Sequence, residues 1–133
     1  MVGETNLTAL LASMSPVLLD DEYVFCSVPG GQYGDYQSLS PIATFRESEG
    51  LTLVLTKTAA IEGGLSFESV FKGITLTVHS SLDAVGLTAA VANKLTEKGI
   101  SANVIAAYYH DHIFVQTEKA ALAIEALNEF SKV

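Results

Sequence analysis

Ile74-Thr75-Leu76-Thr77-Val78-His79, followed by Ser80-Ser81-Leu82-Asp83-Ala84-Val85-Gly86-Leu87, is the stretch whose reading decides the fold. Its first six residues alternate apolar and polar, which puts Ile74, Leu76 and Val78 on one face of a strand. Ser81 or Asp83 then stands where a helix needs a cap, and Ala84, Leu87, Val91 and Leu95 recur behind it at helical spacing. Gly99 ends that helix, with Ile100 placed for the apolar contact that accompanies a glycine C-cap. Asn103 to Tyr109 and Ile113 to Val115 are rich in β-branched and aromatic residues and lie so close together that they read as an antiparallel hairpin. Thr117 opens a second helix, with Ala120, Ala123, Ile124, Leu127 and Phe130 on one stripe. The order strand, helix, strand, strand, helix predicts an α+β, ferredoxin-like layout: an antiparallel sheet with both helices on one face.

The preceding half offers similar parts in a shifted order. Thr5 or Asn6 caps a short helix with Leu7, Leu10, Leu11 and Met14 on one stripe, limited by Pro16. Asp20-Asp21-Glu22 reads as a solvated turn, since it lacks the alternating spacing of a calcium loop, and Tyr23 to Val28 reads as a strand. Cys26, inside that strand, is expected to be a buried thiol acting as a small hydrophobe. The segment 29–40 is irregular and glycine-rich, but no Gly-Lys-Ser/Thr follows to make a phosphate cradle. Tyr33 and Tyr36 are expected to anchor this loop to the body, although they could also cover a ligand. Ala43 to Glu47 and Leu51 to Thr56 form a hairpin around Ser48-Glu49-Gly50, and Arg46 is expected to pair with a neighbouring acid. Thr58 to Glu62 is a short helix stopped by Gly63-Gly64, and Leu65 to Phe71 reads as a further strand.

Residues 1–72 and 73–133 thus divide into two modules. The second lacks a closing strand, because only Ser131-Lys132-Val133 follows its last helix. Strands are therefore expected to be shared, with Tyr23 to Val28 the best candidate to supply the missing one.

Composition narrows the function. A formal charge of −8, with seven Lys and Arg residues and no cluster of them, argues against nucleic acid and against an anionic membrane surface. No apolar run approaches a membrane span and no signal peptide pattern opens the chain, so a cytoplasmic protein is expected. The single cysteine agrees with a reducing compartment. At 133 residues and 49% hydrophobic content there is material for one ordinary core or two small ones.

The strings from His79 to Ala89 and from Tyr108 to Val115, with Phe45 to Val54, resemble a bacterial family of small tandem ACT-like proteins, similar in this region to the amino-acid-sensing CASTOR proteins. The resemblance covers most of the chain. It implies an ACT fold and small-ligand binding, in a family whose members mostly have no assigned function. In ACT domains the helix-opening loop often forms part of the effector site, so the resemblance points to Ser80, Ser81, Leu82, Asp83, Ala84, Val85, Gly86 and Leu87. Physically, such a loop exposes backbone N–H groups that can receive a carboxylate. Gly86 either lets a ligand or second subunit approach or meets the need for a small residue beside another helix.

All three histidines lie in the second module, and the layout brings His79, His110, Asp111 and His112 to the end of the sheet that carries this loop. They are a ligand or weak metal set. The spacing lacks an established pattern such as His-Glu-x-x-His, so no metal or cofactor is expected. Ser80 and Ser81 beside His79 point to opposite sides of a strand and no nucleophile elbow is present, so no enzyme is expected. The expected function is a regulatory ligand-binding module, dimeric, sensing an amino acid or related small metabolite. The alternatives are a ligand-free interaction module and, third, a divalent-metal-dependent enzyme.

Overall fold

The computed structural model describes residues 6–77 and 85–131. Contacts divide the chain into two compact units, residues 21–71 and residues 1–20 together with 72–133. The helices are α1 (Leu7–Ser13), α2 (Lys57–Glu62), α3 (Leu87–Glu97) and α4 (Ala120–Asn128). The strands are β1 (Pro16–Val28), β2 (Ala43–Glu47), β3 (Gly50–Thr56), β4 (Phe71–Leu76), β5 (Asn103–Ala106) and β6 (Asp111–Gln116). Their order is β2-β3-β1-β4-β6-β5. This is the mixed α/β, antiparallel, ferredoxin-like architecture that the periodicities predict.

In the unit of residues 21–71, β1 pairs antiparallel with β3 from Tyr23↔Thr56 to Val28↔Leu51, and β2 pairs with β3 from Ala43↔Val54 to Glu47↔Gly50. Val24, Cys26, Leu51, Leu53, Leu55 and Ala60 form its core. Burial raises the pKa of the Cys26 thiol, as fits an inert side chain. Gly50 closes the turn because a Cβ there would stand 2.8 Å from the Val28 carbonyl oxygen. The Thr56 hydroxyl caps α2 by accepting the Ala59 N–H at 3.1 Å. Leu65 to Val70 is not a strand. Leu65, Phe67 and Val70 pack against the core, so this apolar segment is held by side-chain contacts and not by a ladder. Arg46 is exposed, and among the described residues no acid lies within ion-pairing distance of it; Glu47 instead accepts the Thr52 hydroxyl.

The other unit buries Leu10 and Met14 of α1 with Ile74, Leu76, Leu87, Val91, Leu95, Ile113, Val115, Ala123 and Leu127. Asn6 caps α1, its Oδ1 accepting the Ala9 N–H at 3.0 Å. Two expectations are corrected in this region. Asp20-Asp21-Glu22 lies inside β1, whose run from Pro16 is compatible with proline at a strand's first position. The strand segment grouped with the C-terminal residues is Pro16 to Asp20, whereas Tyr23 to Val28 serves β3. Thr77 ties β4 to this segment, donating its N–H at 3.2 Å and its hydroxyl at 2.6 Å to the Ser15 carbonyl. Lys72 donates to the Asp20 carbonyl at 2.7 Å.

The strand expected from Ile74 to His79 begins earlier, at Phe71, and is described to Leu76. β5 and β6 form the expected hairpin, in register from Asn103↔Phe114 to Ala106↔Asp111. A 3-10 turn at Thr117–Lys119 leads into α4, which buries Ala120, Ala123, Ala126 and Leu127.

Candidate functional site

α3 begins at Leu87, one turn later than the spacing of Ala84, Leu87, Val91 and Leu95 suggests. Gly86 occupies the N-cap with φ +97°, a left-handed conformation that L side chains rarely adopt and that cannot continue a helix backwards. Neither Ser81 nor Asp83 is therefore at the cap, and Gly86 has no side chain with which to cap the first turn of α3. A Cβ at Gly86 would meet Leu7 of α1 at 3.1 Å, so the small residue here serves close packing of α1 on α3. Val85 is exposed and Leu87 is buried. At the other end of the helix the Ile100 N–H returns to the Leu95 carbonyl at 2.9 Å, and Ile100 is buried. His79, Ser80, Ser81, Leu82, Asp83 and Ala84 lie outside the described residues.

β6 starts at Asp111, preceded by a tight loop in which the Ala107 N–H bonds to the His110 carbonyl at 3.1 Å. Strand alternation puts Asp111 on the side of Ile113 and Val115, which face the helical core, and His112 on the other side. Asp111 is buried, and burial raises its pKa against the opposing pull of His112 and His110. His112 is half-buried, its Nδ1 3.0 Å from the Thr75 hydroxyl on β4. Burial and then His110 lower its pKa, with Asp111 acting the other way. Among the described residues no three His, Cys, Asp or Glu side chains come together as metal ligands would.

The sign of the His112 shift sets an expectation. A base whose folded pKa is depressed stabilises the fold above its ordinary value of 6.5 and loses that contribution as pH falls through the folded value. Asp111, raised, acts with the opposite sign, its contribution being lost as pH rises above its ordinary value of 3.8. Thermal unfolding between pH 7 and pH 5 is therefore expected to show stability falling below about 6.5, and His112→Gln should flatten that part of the curve. An equal slope in the variant would remove His112 from the account.

Tyr108 and Tyr109 were not singled out by the sequence reading, which placed them in a strand. β5 ends at Ala106, and both rings stand exposed at the hairpin tip, 5.0 Å apart and edge to face, with Tyr109 6.5 Å from His110. Adjacent aromatics four residues from the next apolar run were the available signal.

In the unit of residues 21–71 the irregular loop frames an open cleft of about 590 Å³, lined by Tyr33, Asp35, Gln37, Ser40 and Ile42 among others. Tyr33 is 84% exposed and Tyr36 37%, so they do not anchor the loop. Leu39, on a 3-10 turn from Gln37 to Leu39, does, packing against the core.

Models of the ACT domain match residues 2–72 and 68–129. VC0802 from Vibrio cholerae, a protein of unknown function with a suggested transport role, is similar at 62% identity and TM-score 0.86, over 96% of this chain and 97% of that one. Atu0741 from Agrobacterium tumefaciens shares the fold at 14% identity, TM-score 0.73 and 89% of each chain. The ligand-free regulatory subunit of aspartate kinase from Thermus thermophilus does so at 12% identity and TM-score 0.61, over 89% of this chain and 97% of that one. No functionally curated relative matches the chain. No helix of the described residues is long and apolar enough to cross a membrane. With both halves matched, the chain belongs to the ACT domain family.

Proposed function

We propose that this protein is a regulatory ligand-binding module of ACT type that senses an amino acid or related small metabolite, works as a homodimer and has no catalytic activity of its own. The observation that supports the reading is the match of both halves to the ACT domain, with Gly86, which has no side chain to offer as a cap, at the start of α3. Unpaired helix-start amides favour a carboxylate, and the helix dipole adds to the attraction.

A thermal-shift screen with the common amino acids, nucleotides and divalent metals tests it. One amino acid is expected to raise the melting temperature by an amount that grows with its concentration. A response to metal alone would favour the metal-dependent enzyme, and silence throughout would favour a ligand-free interaction module. Light scattering on the same samples should give twice the chain mass, and a monomer at high micromolar concentration would remove the dimer.

A further inference from the structure

β2 is the terminal strand of the sheet and pairs with β3 on one side only. In an antiparallel ladder alternate residues of such a strand direct their N–H and C=O groups outward. Edges of this kind are usually blunted by charge, proline or cover. On β2, Thr44, Phe45, Arg46 and Glu47 are all exposed, and Phe45 is 71% exposed between its polar neighbours. The cleft of the preceding loop opens onto the start of the same strand, with Ala43 and Thr44 in its wall.

The loop has a defined shape. Asp35 Oδ2 accepts the Gln32 N–H at 2.8 Å, and the Asp35 N–H returns to the Gln32 carbonyl at 2.9 Å. Tyr36 and Ser40 hold φ of +62° and +51°, a conformation non-glycine residues keep only where the surroundings fix it. A shaped pocket beside a free strand edge is what an extended peptide uses when it adds a strand: main-chain bonds along the edge and a side chain in the pocket.

We propose that the β2 edge and the adjoining cleft dock an extended basic segment of a partner protein, with a lysine or arginine side chain between Asp35 and Tyr33. Charge selects this occupant. Residues 21–71 hold seven carboxylates against two cations, Lys57, which faces Glu22 at 4.0 Å, and Arg46, which shares the β2 edge with Glu47, so a cation is selected at the cleft and not along the edge. Asp35 is the sole charged side chain lining the cleft, and the exposed Tyr33 ring offers a face to a cation. A second copy of this chain would bring the same negative excess to the edge. The proposal stands apart from whether an amino acid binds near α3.

The test uses the full chain and two labelled peptides of about nine residues, alternating threonine and valine with lysine in one and glutamate in the other. The lysine peptide is expected to bind, more weakly at high salt, and to slow hydrogen exchange at residues 43–47; the glutamate peptide is expected not to bind. Asp35→Asn, which keeps a side-chain oxygen to accept the Gln32 N–H while removing the charge, and Tyr33→Ala, at an exposed position, should each leave the melting temperature unchanged and weaken binding, about tenfold for Asp35→Asn. Equal binding to wild type and both variants, or absence of protection at 43–47, would overturn the proposal. So would a dimer that Phe45→Arg dissociates, because the edge would then belong to a second copy.

Discussion

A chain beginning at residue 72 is expected to be expressed as an unfolded or aggregating product, although it retains all but the first residue of β4 and the whole of β5, β6, α3 and α4. What it loses is one side of its own core. Leu10 is fully buried and Met14 is 2% exposed, both in the cluster with Leu87, Val91, Leu95 and Leu127. Removing them bares those partners, and removing Pro16 to Asp20 strips β4 of the strand to which Lys72 and Thr77 are tied. An open edge above an uncovered apolar face is an aggregation template. The same coupling is measurable without truncation: Leu10→Ala in the full chain should cost about 2–5 kcal/mol, a large share of the roughly 5–15 kcal/mol that holds a domain together. Denaturant titration gives the second number, and circular dichroism with gel filtration gives the first result. A monomeric fragment 72–133 that melts cooperatively would refute the argument.

The other large effect is expected on binding. A zwitterionic ligand whose carboxylate meets the start of α3 still needs a partner for its ammonium, and Asp83 is the single acid of residues 77–86. Asp83→Asn removes the charge while keeping size and polarity, so the fold should be unaffected and affinity for the amino acid found by screening should drop by about 1.5–3 kcal/mol. Calorimetry would read this as roughly a ten- to 150-fold rise in Kd. If Asp83 serves local structure alone, affinity will not move, and the residue leaves the site while the site itself survives. No heat with any amino acid would end the sensor reading in this form.

Much of the architecture was legible because single periodicities were clean. Leu51, Leu53 and Leu55, or Ile113 and Val115, alternate as a half-covered sheet requires, and Leu87, Val91 and Leu95 mark one helical stripe. The errors came where pattern and partner part company. Leu65 to Phe71 is apolar enough to read as a strand, but pairing depends on a neighbour that no local pattern encodes. Asp20-Asp21-Glu22 has the polarity of a turn, yet β1 runs through it because its ladders are fixed from elsewhere in the chain. The start of α3 differs for a conformational reason: Ala84 fits the helical spacing, but the left-handed Gly86 interrupts it, and Leu7, from a distant part of the sequence, packs where a Cβ at Gly86 would stand. The candidate site was legible only as a loop of suitable residue types. That Asp111 and His112 face opposite sides of β6 follows from alternation, but the burial of Asp111 does not.

One unit of this protein is continuous in sequence and the other is split around it. During synthesis the middle segment, residues 21–71, is complete while most of its companion has yet to be made, and contiguous elements such as the β2–β3 hairpin involve only short loop closures. The first twenty residues must wait. Until residues 72–131 emerge, Leu10 and Met14 have none of the partners that bury them, so these apolar side chains stay uncovered through most of translation. The order of folding therefore runs from the middle outward, and the beginning of the chain is among the last parts to reach its place.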